Sequence, residues 1–113
     1  MKKLLIVILS LMFFASCSND LYKYYDYDNL LYAYGSRGFT EKEIKKFSRE
    51  YKIIVESPKG KRKLPPPGAC AEYGYLLFLQ GKTKEARENL VKETVIYPES
   101  KTYVDALIKT LEL

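Results

Sequence analysis

Apolar residues fall into one continuous run and then into helical stripes. From Leu4 to Phe14 the chain is apolar except for Ser10. Beyond Asp20 the pattern changes. Leu21, Tyr24, Tyr27, Leu31 and Tyr34 recur at three- and four-residue steps, which predicts a helix over 21–34 closed by Gly35-Ser36-Arg37-Gly38. Thr40 is a natural N-cap, and Glu43 three residues on completes a capping box. The helix it opens carries Ile44, Phe47, Tyr51 and Ile54 as its apolar face and stops before Pro58. Residues 56–68 form a connector that ends in Pro65-Pro66-Pro67-Gly68, an extended run.

From Pro67 onward the small residues are spaced like a 34-residue helical repeat. Gly74 and Ala86 lack bulk where two antiparallel helices would cross closely. Gly81 ends the first helix, Thr83 is expected to cap the second, and Pro98 closes it. The positions of Gly74, Gly81, Ala86, Leu90 and Pro98 are those of a tetratricopeptide unit, with Cys70 and Glu93 departing from its usual residue types. A last helix from Glu99-Ser100 to about Leu113 would present Tyr103, Ala106, Leu107 and Leu111 as a cap on the preceding pair. The expected fold is all-α: tetratricopeptide-like antiparallel helix pairs with a C-terminal capping helix.

The first sixteen residues read as a signal peptide. A positive start at Lys2 and Lys3, an apolar core too short to span a bilayer and small residues before Cys17 are the grammar of export. Phe14-Ala15-Ser16-Cys17 resembles the bacterial lipobox, with Phe14 where Leu is usual. The resemblance implies cleavage before Cys17 and a diacylglyceryl group on its thiol. The expected organisation is therefore 1–16 signal peptide, 17–20 lipidated tether and 21–113 helical domain. The tether reaches about 14 Å at most, which would hold the domain against the lipid headgroups. Ser18 follows the cysteine where an Asp would favour inner-membrane retention, so the expected location is the outer membrane, facing the periplasm.

Composition narrows the chemistry. The chain of 113 residues has 19 Lys+Arg against 14 Asp+Glu. Removing Lys2 and Lys3 with the signal leaves a mildly basic remainder that does not demand nucleic acid. Of the two cysteines, a lipidated Cys17 leaves Cys70 without an intramolecular partner, and its apolar surroundings predict a buried thiol. Histidine is absent, which removes Ser-His-Asp and Cys-His catalysis and most zinc sites. No phosphate loop, isolated carboxylate pair or metal set is present in the sequence. The expectation is a non-catalytic protein with no cofactor other than lipid on Cys17 and no small-molecule substrate.

Two sets of residues are candidates for partner contact. Six of the eleven tyrosines lie between 22 and 34, too many for one stripe. Tyr22, Tyr25 and Tyr32 are therefore expected to face outward, where an amphipathic ring suits an interface. Lys59, Lys61, Arg62 and Lys63 make the connector strongly basic, suited to anionic headgroups or an acidic partner, or simply to solvent.

These pieces together resemble an uncharacterised family of small bacterial outer-membrane lipoproteins, a domain of unknown function with tetratricopeptide-like helices. The matching residues are Cys17; Tyr22, Tyr24, Tyr27, Asp28, Leu31 and Tyr32; and the block Pro67-Gly68-Ala69-x-Ala71-x-x-Gly74-Tyr75. Gly81, Ala86-Arg87, Lys92-Glu93 and Tyr97-Pro98-Glu99-Ser100 complete the set. Family members usually carry Trp, Gly and Phe where this chain has Tyr24, Tyr25 and Tyr97. The resemblance implies a lipoprotein often encoded beside others similar to the curli secretion-channel family, makes Glu93 a family trait, and implies no known activity. The reading that follows is a membrane-anchored adaptor with an envelope protein as partner. The alternative is a peptidoglycan-binding or envelope-maintenance factor that regulates a wall enzyme, which binding to isolated sacculi without protein partners would favour.

Overall fold

The computed structural model describes residues 1–4 and 40–113. Four α-helices stand among residues 40–113: α1 (Glu41–Glu56), α2 (Ala69–Leu79), α3 (Thr83–Ile96) and α4 (Lys101–Thr110). A single 3₁₀ turn, Pro98–Ser100, joins the last two. The described residues contain no strand, so this part of the chain is all-α.

Helix α1 starts as its sequence dictates. The Glu43 N–H donates to the Thr40 hydroxyl at 3.2 Å, and the Thr40 N–H donates to the Glu43 carboxylate at 3.1 Å. Glu41 and Glu43 in the first turn also suit the positive end of the helix dipole. The buried face is Phe47, Ser48, Tyr51, Ile54 and Val55, while Ile44 is only half-buried. The stripe thus begins one turn later than expected. Ser48 tolerates burial because its hydroxyl accepts from the Gln80 side-chain amide at 2.9 Å.

Helix α2 is the centre of the fold. Ala69, Cys70, Ala71, Tyr73, Gly74, Leu76 and Leu77 are all buried. A helix apolar on nearly every side must be covered on several sides, and α2 packs against both α1 and α3. Both pairings are antiparallel. Ser48 meets Gln80 at the end of α2 while Tyr51 donates to Glu72 near its start, and residues before and in the first turn of α2 meet Glu93 near the end of α3.

Gly81 stops α2 as expected, with φ +76°. Its N–H donates to the Phe78 carbonyl at 2.9 Å and the Lys82 N–H to the Leu77 carbonyl at 3.0 Å, a complete Schellman closure. Thr83 does not cap α3. The cap position falls on Lys82, without a side-chain hydrogen bond, and Thr83 is already the first helical residue. The Schellman turn consumes Gly81 and Lys82 and brings the chain into α3 one residue early.

Gly74 lies over α3. A Cβ placed there would stand 3.0 Å from the Ala86 carbonyl oxygen and 3.0 Å from Leu90 Cγ. The expected proximity of Gly74 to Ala86 is therefore present at backbone level.

The face of α4 differs from expectation. Val104 is fully buried with Leu107 and Ile108 beside it, whereas Tyr103 is 63% exposed and Ala106 points outward. The 3₁₀ turn delays the helix to Lys101, and the set Val104, Leu107, Ile108 and Leu111 has the i, i+3, i+4, i+7 spacing that one face requires. Val104 packs with Ala71 and Leu90, joining α4 to both α2 and α3. The chain ends α4 in a second Schellman closure. Leu113 donates to the Ile108 carbonyl at 3.0 Å, and its side chain packs against both core clusters.

Candidate functional site

Cys17, Tyr22, Tyr25 and Tyr32 lie outside the described residues, as do Tyr24, Tyr27 and Leu31. The structure places the other candidates on the connector. Lys59, Lys61, Arg62 and Lys63 share one exposed turn, shaped by Gly60 at φ 102° and Lys63 at φ 52°. The turn is short because the connector is held from both sides. Pro65 and Pro66 are buried, and the Tyr97 hydroxyl donates to the Pro65 carbonyl at 2.6 Å.

The most constrained group in the core is Glu93, 2% exposed. Its Oε1 accepts from the Gly68 N–H at 2.7 Å and its Oε2 from the Cys70 N–H at 3.2 Å. Gly68 sits at φ 93° and has no side chain with which to cap α2. The carboxylate of a different helix does that work. An anion against a helix N-terminus is favoured by the unpaired N–H groups and by the dipole. The neighbouring Lys92 reaches the other way, donating to the Val55 carbonyl in the last turn of α1 at 3.3 Å. Both charges match the helix ends they touch.

Cys70 lies beside this carboxylate and is fully buried. Burial first, and the Glu93 charge second, push its thiol from 9.0 to about 12, against a smaller opposing effect of Lys92. The thiolate is the nucleophile, so Cys70 is expected to resist iodoacetamide at pH 8 in the native protein and to react once urea unfolds it. Alkylation in buffer at the rate of a free thiol would contradict this. The linkage has a definite sign. A thiol raised by folding favours the native state fully below pH 9 and loses that contribution between about pH 9 and 12.

A second feature is a groove of about 290 Å³ between α1, α2 and the start of α3. Lys45, Arg49, Lys52 and Glu56 line it from α1 at spacings that keep them on one face. Tyr73, Leu77 and Gln80 line it from α2, and Lys82 and Glu85 from the α3 end. Ser48 forms part of the floor. The Gln80 amide nitrogen is committed to Ser48 and to the Leu76 carbonyl, which leaves its oxygen as an acceptor. Tyr73 is 5% exposed. Burial, then Glu56, then Glu85 raise its hydroxyl above 10.0, so it remains an O–H donor.

Sequence reasoning singled out Glu93 as a departure from the repeat but not its role as a cap for α2, and it missed the groove. For Glu93 the available signal was an acid in a small-residue slot paired with a helix that opens on glycine. For the groove it was the 45/49/52 run of cations on α1, which reads as an ordinary solvated face until α2 is placed beside it.

Fold and site together define a small helical domain with a buried carboxylate between its helices and a basic groove beside α1. The chain belongs to the family described as a domain of unknown function (DUF4810), which matches residues 21–107. That span takes in the tyrosine segment, the connector, α1 to α3 and most of α4. No curated protein and no solved structure matches the chain.

Proposed function

We propose that this protein is a non-catalytic adaptor, anchored through lipid on Cys17 to the outer membrane and presenting its helical domain to an envelope protein. Glu93 is the observation that carries the non-catalytic part of this reading. The one carboxylate fully enclosed by the described core has both oxygens committed to backbone N–H groups, so it is spent on holding helices together. In this reading α2 and α3 form a tetratricopeptide-like pair and α4 its cap. The crossing at Gly74 supports that, because a Cβ there would stand 3.0 Å from the Ala86 carbonyl oxygen and such pairs need a side chain to be missing at their crossing. Helical pairs of this kind offer grooves that accept peptides or partner helices. Lipid confines the domain to the surface where envelope partners are also confined, and two or more chains make the anchor stable.

The experiment has two arms. Cys17→Ser is expected to abolish lipid labelling and to move the protein from the membrane to the soluble periplasmic fraction; a mature N-terminus mapped elsewhere than Cys17 would refute the anchor. A photo-crosslinking residue at Tyr25 or Tyr32 in living cells is expected to capture an envelope protein from the anchored chain. Capture of lipid alone would count against the adaptor.

A further inference from the structure

The groove beside α1 has more polar groups than the fold uses. The Arg49, Lys52 and Lys82 side chains form no ion pair or hydrogen bond with the described residues, whereas Lys45 already pairs with Glu41 at 3.2 Å. Tyr73 is more telling. Its ring is packed in the core, yet its hydroxyl forms no hydrogen bond with the described residues and reaches solvent in the groove. A tyrosine needed only for packing could as well be phenylalanine, whereas its neighbours Tyr51 and Tyr97 both use their hydroxyls within the fold. A hydroxyl donor that the described fold leaves to solvent inside a basic groove is free to meet a ligand oxygen.

The lining also carries acceptors. Glu56, Glu85 and the Gln80 side-chain oxygen stand among the donors. A bare anion or a phosphate headgroup could satisfy Arg49, Lys52 and Lys82 but has no N–H to offer the acceptors. A polypeptide has both, its carbonyls for Tyr73 and its amides for Glu56, Glu85 and Gln80. The excess of cations over carboxylates then calls for acidic side chains. From Lys45 to Glu56 the α1 wall runs about 16 Å at 1.5 Å per residue, room for about five residues of extended chain at roughly 3.3 Å each.

We propose that this groove binds an acidic, extended peptide segment of the partner protein, with Arg49, Lys52 and Lys82 taking its carboxylates and the Tyr73 hydroxyl one of its carbonyls. This rests on the adaptor reading and gives it a site and a chemistry. It places recognition away from the basic connector, whose charged residues are exposed.

The test uses the full chain in nonionic detergent and a fluorescein-labelled hexapeptide of alternating aspartate and valine, read by fluorescence anisotropy. Saturable binding is expected that weakens as salt rises. Arg49→Glu with Lys52→Glu should weaken it by about tenfold or more, since two attractions become repulsions. Tyr73→Phe should weaken it by about three- to tenfold, the effect of one hydrogen bond, and leave the thermal midpoint unchanged because the hydroxyl bonds to none of the described residues. Lys61→Ser with Lys63→Ser should leave binding unaltered. Equal affinity of wild type and Tyr73→Phe would overturn the proposal. So would equal binding of a lysine–valine peptide, loss of binding in the connector variant, or phosphatidylglycerol vesicles bound through Arg49 and Lys52 in place of the peptide. Crosslinking in cells separates the two levels. Capture from Tyr25 or Tyr32 that fades in the Tyr73→Phe chain supports the groove. Capture that persists undiminished in both groove variants removes the groove and leaves the adaptor standing.

Discussion

Glu93→Ala is expected to cost about 3–5 kcal/mol, a large share of the roughly 5–15 kcal/mol that a small domain possesses. The carboxylate is buried, and its two oxygens are the partners of the Gly68 and Cys70 N–H groups. Removing it leaves both donors facing a cavity, at about 1–3 kcal/mol for each unsatisfied group. It also withdraws a negative charge from the positive end of α2, which opens on a glycine that cannot cap itself. Glu93→Gln keeps the shape and one acceptor, and should cost about 1–2 kcal/mol. Urea unfolding followed by circular dichroism measures both. An alanine variant within 0.5 kcal/mol of wild type, a change as small as about the surface-substitution range, would show that water replaces the carboxylate and that the cap is dispensable.

Gly74→Leu should be the other severe change, with a loss of about 1–3 kcal/mol or more from overpacking. The first added carbon already meets the Ala86 carbonyl oxygen at 3.0 Å, and that atom belongs to a helix backbone which cannot step aside. Gly74→Ala provides the control. Alanine improves helix propensity by about 0.5–1 kcal/mol, which offsets much of the close contact, so this variant should fall near neutral. A leucine variant as stable as the alanine variant would mean that α2 and α3 separate freely, and the close crossing would lose its meaning.

What could be read from the sequence depended on how far apart the interacting residues lie. The Thr40–Glu43 capping box, the stop at Gly81 and the break at Pro98 are decided within a few residues, and each is where the pattern placed it. Cys70 was legible for a similar reason, since its neighbours are apolar and the site is buried. Thr83 failed as a cap because the Schellman turn, itself locally encoded, used the cap position for Lys82. The α4 face was misread because Tyr103 attracts attention as a large aromatic, whereas Val104 fits against Ala71 and Leu90 and leaves the tyrosine outside. Glu93 and Gly68 are 25 residues apart, and no local rule connects them. The groove draws on three helices, so only their packing reveals that cations on α1 and a tyrosine on α2 share a space.

Lys92, Glu93 and Tyr97 reach, in turn, the end of α1, the beginning of α2 and the last stretch before it. Both ends of the connector are therefore fastened to one helix that does not belong to it. Chain between two fixed posts is cheap to lengthen, since doubling a flexible loop adds only about 0.6 kcal/mol of closure entropy. The tip around Lys61 to Lys63 is accordingly the natural place to splice in an epitope or a fluorophore-binding tag, and the segment where insertions and deletions among relatives can accumulate without disturbing the helices on either side.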